Sequence, residues 1–293
     1  MQPILRQLIP ATFVFLWSSG FIIARYSMPY AEPITFQFLR FAGVLVVMVP
    51  VVLLWPPVWP TRRQILHIGT AGVLLQACYL CCVWSAVRDG MSAGLVSLIV
   101  GLQPIITAWF AALLSERITS RQWIGLLLGL SGVGLVVYAK LSLTNMTLFS
   151  LIIAFVALAS ITSGTMFQKK YCPSFDLRAG SVIQFGAAAL ACLPMMFLLE
   201  TREIQWNVEV IGSLLWGVLG ISIGAISLLF IMIREGAATR VTSLLYLTPP
   251  TTAVMAWLIF DEPITLMTLM GTLLTVWGVW WVVSKVNTSP KTP

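Results

Sequence analysis

Ten long stretches without a charged residue constrain this chain more than any other feature. Each stretch holds 18 to 28 residues and contains no Asp, Glu, Lys or Arg. The stretches are residues 7–24, 41–61, 64–87, 90–115, 122–139, 141–168, 179–199, 210–233, 241–260 and 263–284. A helix needs about 20 residues to cross a hydrocarbon layer of roughly 30 Å. Ten such stretches in succession exclude a soluble protein and predict ten membrane-spanning helices.

The apolar stretches also indicate which secondary structure crosses the membrane. A β-barrel would show shorter segments in which polar and apolar residues alternate, whereas these stretches are continuously apolar. Because lipid offers no hydrogen bonds to an open backbone, helices remain. We therefore predict an all-α integral membrane protein with the lipid bilayer as its solvent.

The net charge of +7 is unevenly distributed between the two ends of these helices. If the N-terminus is cytoplasmic, twelve Lys and Arg residues fall inside and five fall outside. The outside set is Arg25, Arg40, Arg88, Lys140 and Arg202. This positive-inside bias predicts a multi-pass protein of the bacterial inner membrane with both termini in the cytoplasm. The basic charge thus reports topology, and no nucleic acid is expected as a partner.

The two halves of the chain repeat each other. Pro104 and Pro250 are 146 residues apart, as are Glu116 and Glu262. Earlier in each half the offset is 144, as between Phe41 and Phe185. A fixed period of half the chain indicates internal duplication. We predict two five-helix repeats, residues 1–143 and 144–293, within one integrated membrane domain.

An odd number of helices in each repeat has a functional consequence. The second repeat must enter the membrane from the opposite side, so the two repeats are inverted relative to each other. Inverted repeats are typical of secondary transporters, whose binding sites lie near the midplane between the repeats. The pattern therefore predicts alternating access, and we expect a monomer to suffice for transport.

Three passages resemble the EamA-type branch of the drug/metabolite transporter superfamily. They are Trp17-Ser18-Ser19-Gly20 with Arg25-Tyr26, then Pro33 with Phe38-Leu39-Arg40-Phe41, and the segment from Pro104 through Glu116-Arg117-Ile118-Thr119 to Gly125 and Gly132, echoed at Pro250, Glu262 and Gly271. The resemblance covers essentially the whole chain. It implies ten helices and the transport of small metabolites, often the export of amino acids or related compounds. One departure is Gln184, which stands where the repeat would place a partner for Arg40.

Several polar and aromatic side chains are predicted to lie near the middle of the membrane. Pointing such groups at lipid is costly, so they either bond between helices or line a polar cavity. The substrate-binding candidates are Trp17, Ser19, Gln76, Tyr79, Gln103, Gln168, Gln184 and Tyr246. For any single residue of this set, helix packing is the competing interpretation.

A second set of residues is a candidate for hinges and gates. Pro104 and the pair Pro249-Pro250 fall near the middle of predicted helices 4 and 9, where a missing backbone bond would kink the helix. Arg40 lies roughly 10 Å from the start of its helix, at 1.5 Å per residue, and snorkelling or ion pairing is its competing interpretation. Glu116 and Glu262 are expected at opposite membrane surfaces, as anchors of loops or gates.

Residues for catalysis and metal binding are scarce. The chain has one histidine, His67, and no Asp or Glu within any of the ten stretches. Cys78, Cys81 and Cys82 form a CxxCC pattern without a second ligand pair, so buried apolar packing explains them better than a metal. We predict no enzyme, no cofactor and no metal. Without a buried carboxylate, a proton relay is poorly supported.

The function predicted from the sequence is export of a small metabolite, an amino acid or an amino-acid-like compound, by alternating access. The alternative within transport is a carrier of cationic or aromatic drugs. The alternative from another class is a membrane enzyme or a structural membrane protein.

The predicted topology can be tested with fusions to reporter proteins. Green fluorescent protein fused after Trp59 should fluoresce, because the loop with Arg62 and Arg63 is predicted to be cytoplasmic. Alkaline phosphatase fused after Glu203 should be active, because that loop is predicted to lie outside. The opposite pair of results would reverse the orientation of every helix.

Overall fold

The chain folds into a bundle of antiparallel helices. A computed structural model describes residues 3–107, 120–141, 147–172, 174–228, 232 and 244–283. We number the helical segments of these residues α1 (Pro3–Ser27), α2 (Pro33–Leu54), α3 (Arg62–Arg88), α4 (Ala93–Thr107), α5 (Ser120–Leu141), α6 (Leu148–Tyr171), α7 (Leu177–Leu199), α8 (Val208–Leu228), α9 (Thr248–Phe260) and α10 (Leu266–Val283). Within the described ranges, β-structure is limited to one bridge between Ala31 and Ile204.

The described helices have the length and surface of membrane spans. Six of them, α1, α2, α3, α6, α7 and α8, are long and apolar enough to cross a bilayer, and α4, α5 and α10 contain shorter apolar helices. Large apolar side chains cover the outside of the bundle, and Val46 and Leu190 are 74% and 72% exposed. An all-α membrane fold is therefore confirmed. The count of ten spans stays a prediction.

The connections between helices define two ends of the bundle. The connections that follow α1, α3, α7 and α9 lie at one end, which we call the Arg25 end. The connections that follow α2 and α6 lie at the other, which we call the Lys169 end. The positive-inside pattern predicts that the Lys169 end is cytoplasmic.

Helix α2 is shifted along the chain relative to the charge-free stretch that predicted it. It begins at Pro33 and ends at Leu54, although the stretch runs from 41 to 61. Prolines 56, 57 and 60 follow its end, and proline cannot continue a helix. At its start, Glu200, the residue after α7, accepts hydrogen bonds from the backbone N–H groups of Ile34 and Thr35, at 2.8 and 2.7 Å. Because α2 begins at Pro33, Arg40 lies about two turns inside the helix, where it is buried.

Several contacts join residues that occupy the same position in the two halves. The rings of Phe41 and Phe185 lie 5.8 Å apart, and these residues are 144 apart in the chain. The Thr275 hydroxyl donates to the carbonyl of Gly129, 146 residues earlier, at 3.4 Å. A residue can contact its own counterpart only where a two-fold axis would pass between them. Both contacts are therefore those expected of a pseudo-two-fold relation between the halves.

Glycines allow α5 and α10 to approach each other closely. A Cβ atom added to Gly132 would lie 2.5 Å from the carbonyl oxygen of Gly271, and one added to Gly278 would lie 2.8 Å from that of Gly125. The offset of 146 exchanges these two pairs, because it relates Gly125 to Gly271 and Gly132 to Gly278. Small residues let membrane helices pack backbone against backbone.

The prolines follow interruptions of regular helix, Pro104 after a break inside α4 and Pro249 and Pro250 after a short segment before α9. Regular helix in α4 ends at Val100, turns at Gly101 and Leu102, and resumes around Pro104. Pro249 and Pro250 fall in the first turn of α9, after a short 3₁₀ segment, Leu245–Leu247. A proline in the first turn is tolerated because its missing N–H would have no helical partner there.

The close contact at Gly132 leads to a stability prediction. Gly132→Ala should lower the unfolding temperature in detergent, because the added methyl meets the Gly271 carbonyl and the Thr275 hydroxyl. We expect a cost of about 1–3 kcal/mol, as for other overpacked interfaces. Gly134→Ala is the matched control, since a Cβ there meets nothing within 4 Å. Equal melting temperatures for the two variants would contradict the predicted contact.

Candidate functional site

A cavity of about 590 Å³ lies inside the bundle. Its described walls come from α1, α2, α3, α4, α6, α7 and α8, together with Leu245. At one extreme it reaches Arg40 and Trp84, which are 3% and 2% exposed. At the other extreme it reaches Lys169, which is exposed at the Lys169 end. Cavities of 300–1,000 Å³ are typical of sites for small molecules.

The cavity brings together six of the eight substrate-binding candidates and one of the six hinge or gate candidates. These seven residues are Trp17, Arg40, Gln76, Tyr79, Gln103, Gln168 and Gln184. They lie on α1, α2, α3, α4, α6 and α7, far apart in the chain. Their roles in binding stay predictions, but their shared location gives those predictions one site.

Ser19 does not lie in the described lining of the cavity. Its hydroxyl donates to the Leu16 carbonyl at 2.7 Å and accepts a hydrogen bond from the Trp216 indole at 2.8 Å. The bond with Trp216 joins α1 to α8. In this structure Ser19 therefore bonds one helix to another, and its role in binding stays a prediction.

The hinge and gate candidates are distributed around the cavity. Pro104 lines a small adjoining pocket that shares Trp17 and Gln103 with the main cavity. A Cβ added to Gly101 in α4 would lie 2.9 Å from the Pro249 ring, so the interruption in α4 abuts the start of α9. Pro249 and Pro250 do not line the cavity. Glu116 and the Tyr246 side chain are outside the described residues.

Amide side chains form hydrogen bonds across the half of the cavity nearer the Lys169 end. The Gln184 amide donates to the Gln168 carbonyl oxygen at 3.0 Å, which links α7 to α6. The Gln103 amide donates to the Thr165 hydroxyl at 2.9 Å, which links α4 to α6. Because an amide both donates and accepts, each pair keeps further capacity for a ligand.

Arg40 carries a positive charge at the opposite, buried extreme. Its Nε donates to the Gly217 carbonyl at 3.2 Å and to the Ser222 hydroxyl at 3.1 Å. Its guanidinium carbon lies 5.6 Å from the centre of the Trp84 ring, within the range of a cation–π contact. Glycine at position 217 permits this approach, since a Cβ there would lie 3.1–3.2 Å from the arginine side chain.

Two π-helical segments border the cavity. They are Val73–Cys78 within α3 and Trp216–Ala225 within α8. An offset of 146 places the first segment inside the second. The π-helix is wider than the α-helix and is rare in proteins, and where it occurs it is often at a functional site. Here they present Leu75 and Gln76 from α3, and Ile221 and Ser222 from α8, to the cavity.

Many of the described lining residues are paired by the internal repeat. Trp17 with Ile161, Phe21 with Thr165 and Arg40 with Gln184 are 144 apart, and Leu75 with Ile221, Gln76 with Ser222 and Leu80 with Ile226 are 146 apart. The cavity therefore lies where a two-fold axis between the halves would pass. Sequence reasoning missed Thr165, Ser222 and Trp84. The repeat could have identified Ser222, because it is the counterpart of the candidate Gln76, whereas Thr165 is the counterpart of Phe21, which was not a candidate.

Ion pairs and backbone bonds close the Arg25 end. Arg25 contacts Glu262 at 3.2 Å and joins the end of α1 to the residues after α9. Arg88 donates to the Ala31 carbonyl at 2.9 Å and lies 3.9 Å from Glu32, which joins α3 to the α1–α2 connection. Glu262 thus takes part in the contacts at this end, and its role as an anchor stays a prediction.

Comparison with known proteins gives a consistent match. The model of the EamA-like transporter family matches residues 8–138 and again residues 148–284. The transporter YvbV of Bacillus subtilis is 27% identical over 95% of this chain and 91% of its own. A Salmonella typhimurium protein named "Probable amino-acid metabolite efflux pump" is 25% identical over 91% of each chain. The inner membrane transporter YedA of Escherichia coli is 23% identical over 83% of this chain and 81% of its own.

A solved crystal structure has the same fold. It superposes with a TM-score of 0.66 at 16% sequence identity, over 95% of this chain and 96% of the other. At that identity the likeness concerns the fold alone.

Water in the cavity can be tested by cysteine labelling. In a variant whose five native cysteines are replaced by alanine, Gln76→Cys should react with a charged thiol reagent, because Gln76 lines the cavity. Leu190→Cys should not react, because its 72% exposed side chain would face lipid, which excludes charge. If the two folded variants are equally unreactive, the cavity is closed to water.

Proposed function

The chain belongs to the EamA-like transporter family, and from this premise we propose that it exports small metabolites, amino acids or amino-acid-like compounds, by alternating access. The proposed location is the bacterial inner membrane, as in the name of the relative YedA. Two relatives whose names include amino-acid metabolite efflux support the substrate class. Each covers 91% of this chain.

The observation that carries the proposal is the position of the cavity between the two halves. Six pairs of its described lining residues are related by the internal repeat. Binding sites at the interface of inverted repeats, near the midplane, suit alternating access because the halves can exchange roles around a fixed site. The family model, which matches each half separately, supports the same division.

The two ends of the bundle suggest which state the structure represents. At the Arg25 end, Arg25–Glu262 and Arg88–Glu32 hold the helices together, whereas the cavity lining extends to exposed Lys169 at the other end. If both termini are cytoplasmic, as the positive-inside pattern predicts, the Lys169 end faces the cytoplasm. The described state would then load substrate from the cytoplasm, as export requires.

The walls of the cavity suit a compound with both polar and apolar parts. Trp17, Phe21 and Tyr79 provide aromatic surface, while Gln76 and Gln184 provide amide groups. A cavity of about 590 Å³ accommodates an amino acid with a large side chain. Chains built only for structure have no need of such a lined cavity.

Counterflow in proteoliposomes tests transport directly. Vesicles that contain the protein and are preloaded with an unlabelled amino acid should take up the same labelled amino acid. We expect this uptake, for at least one amino acid of a panel, to be faster than in equally preloaded vesicles without protein. Absence of protein-dependent flux across the whole panel would count against amino-acid export. Flux restricted to cationic drugs would favour that carrier type instead.

A cavity-filling variant connects that transport to the proposed site. Gly20→Phe should reduce counterflow to background, because Gly20 lines the cavity and a Cβ there would meet only the Ile221 methyl, at 3.6 Å. The fold should tolerate the change for the same reason. Gly212→Phe on α8 is the control, since nothing lies within 4 Å of its Cβ. Wild-type flux in a folded Gly20→Phe protein would place the pathway elsewhere.

A further inference from the structure

Arg40 has more hydrogen-bonding capacity than the protein uses. A guanidinium carries five N–H donors, and the described bonds, to the Gly217 carbonyl and the Ser222 hydroxyl, both come from Nε. Its Nη1 is buried and has no partner among the described residues. The side chain is 3% exposed and lines the cavity, so its unused donors lie at the buried extreme of the proposed site.

Trp84 beside Arg40 has an unused donor of the same kind. Its ring packs under the guanidinium, it lines the cavity, and its Nε1 is buried without a partner among the described residues. An indole N–H can donate but cannot accept. The Arg40 guanidinium and the Trp84 indole, which can only donate hydrogen bonds, therefore both lack an acceptor among the described residues. Leaving such donors unpaired inside a protein is costly.

The described lining also lacks a counter-ion for Arg40. Its charged members are Arg40 and Lys169, and no Asp or Glu belongs to it. The two described carboxylates at the start of α2 are bound elsewhere, Glu32 to the Arg202 backbone N–H and Glu200 to the backbone N–H groups of Ile34 and Thr35. A buried, uncompensated cation in a membrane protein is expensive, and a bound anion would compensate it.

Packing alone does not require a cation at this position. The counterpart of Arg40 in the second half is Gln184, a neutral amide that bonds to Gln168 at the other side of the cavity. If the residue served only to bond helix to helix, an amide would suffice in both halves. At this pair of positions the charge therefore occurs in the first half only, at the end of the cavity that is closed in this structure.

From these observations we propose that Arg40, with the Trp84 indole, binds the carboxylate of the transported compound. The inference rests on the proposed function and names its substrate class, small compounds with a free carboxylate. Arginine recognises a carboxylate through two parallel N–H donors. The rest of the compound would lie toward Trp17, Phe21 and the amides. A neutral amide of the same compound offers no charge and should bind poorly.

Thermal stabilisation of the detergent-solubilised protein tests this without a transport assay. Each of the common amino acids is compared with its carboxamide, for example L-phenylalanine with L-phenylalaninamide, over a range of concentrations. A ligand that binds the folded state raises the melting temperature by mass action. We expect stabilisation by at least one amino acid and binding of its amide at least about 30-fold weaker, as for loss of a partner from a buried charge pair. Stabilisation by none of the carboxylates, or by acids and amides equally, would overturn the proposal.

Variants assign the effect to Arg40. Arg40→Gln should abolish the preference for the acid over the amide, while Arg63→Gln, at an exposed position of α3, should leave it unchanged. Arg40→Lys keeps the charge and should retain the preference with weaker binding, which provides a test if the glutamine variant does not fold. Trp84→Phe keeps the ring without the donor and should weaken acid binding about 3- to 10-fold. A folded Arg40→Gln protein that still prefers the acid would contradict the assignment.

Binding and flux separate this inference from the transport proposal. Carboxylate-selective stabilisation without counterflow would support the Arg40 site and count against transport of that compound. Counterflow with equal binding of acid and amide would support transport and overturn the role of Arg40.

Discussion

The constraint on which the rest of the structure depends is that lipid cannot satisfy an open backbone. Every N–H and C=O within the bilayer must be bonded inside the protein, which makes the helix the default. Where a helix departs from regular geometry, backbone groups lose their usual partners and need others. The positions of these departures therefore show where the protein or a water-filled cavity supplies such partners. In the described residues the departures at Val73–Cys78, Trp216–Ala225 and Gly101–Leu102 all lie beside the cavities. Arg40 supplies one such compensation when it bonds the Gly217 carbonyl within the second π-helical segment.

The two halves contribute similar frameworks and different chemistry. Contacts between counterparts, such as Phe41 with Phe185 and Thr275 with Gly129, are what a two-fold relation would produce. Within the cavity the counterparts differ, and Arg40 corresponds to Gln184. A near-symmetric framework gives two states of similar energy, as an alternating carrier needs. Differences between counterparts make the two extremes of the cavity unlike, with a buried arginine at one and amides near the exposed Lys169 at the other.

The Arg25 end shows how polar side chains are used where water is available. Ion pairs of partly exposed residues contribute little to stability, and the side chains of Arg88 and Glu32 are 44% and 14% exposed. Such pairs can form and separate at small cost, so they suit an end that closes and opens. The buried extreme of the cavity is different, because Arg40 there has no such access to water.

Sequence patterns predicted the apolar helices, with α2 shifted along the chain, and the site residues in part. Charge-free stretches located the helices because each charged side chain is costly to place in lipid, so charges are kept out of the segments that cross it. Gln76, Gln103 and Gln184 were identified by the same cost, since a polar group at that depth needs a polar neighbour. Trp84 was not identified, because an aromatic residue in an apolar helix is equally compatible with lipid, core or cavity. Ser19 was assigned to the cavity, but its bond with Trp216 depends on how α1 packs against α8.

The sequence by itself determined that the chain is helical, apolar and internally repeated, because hydropathy and period are properties of residue order. Tertiary structure alone decided which counterparts meet. Only packing could bring Arg40 of α2 to Gly217 and Ser222 of α8, some 180 residues later, and leave its Nη1 without a partner. Contacts at that separation depend on the angle and depth at which helices cross. Those are set by the summed shape of many side chains, and no short stretch of sequence specifies them.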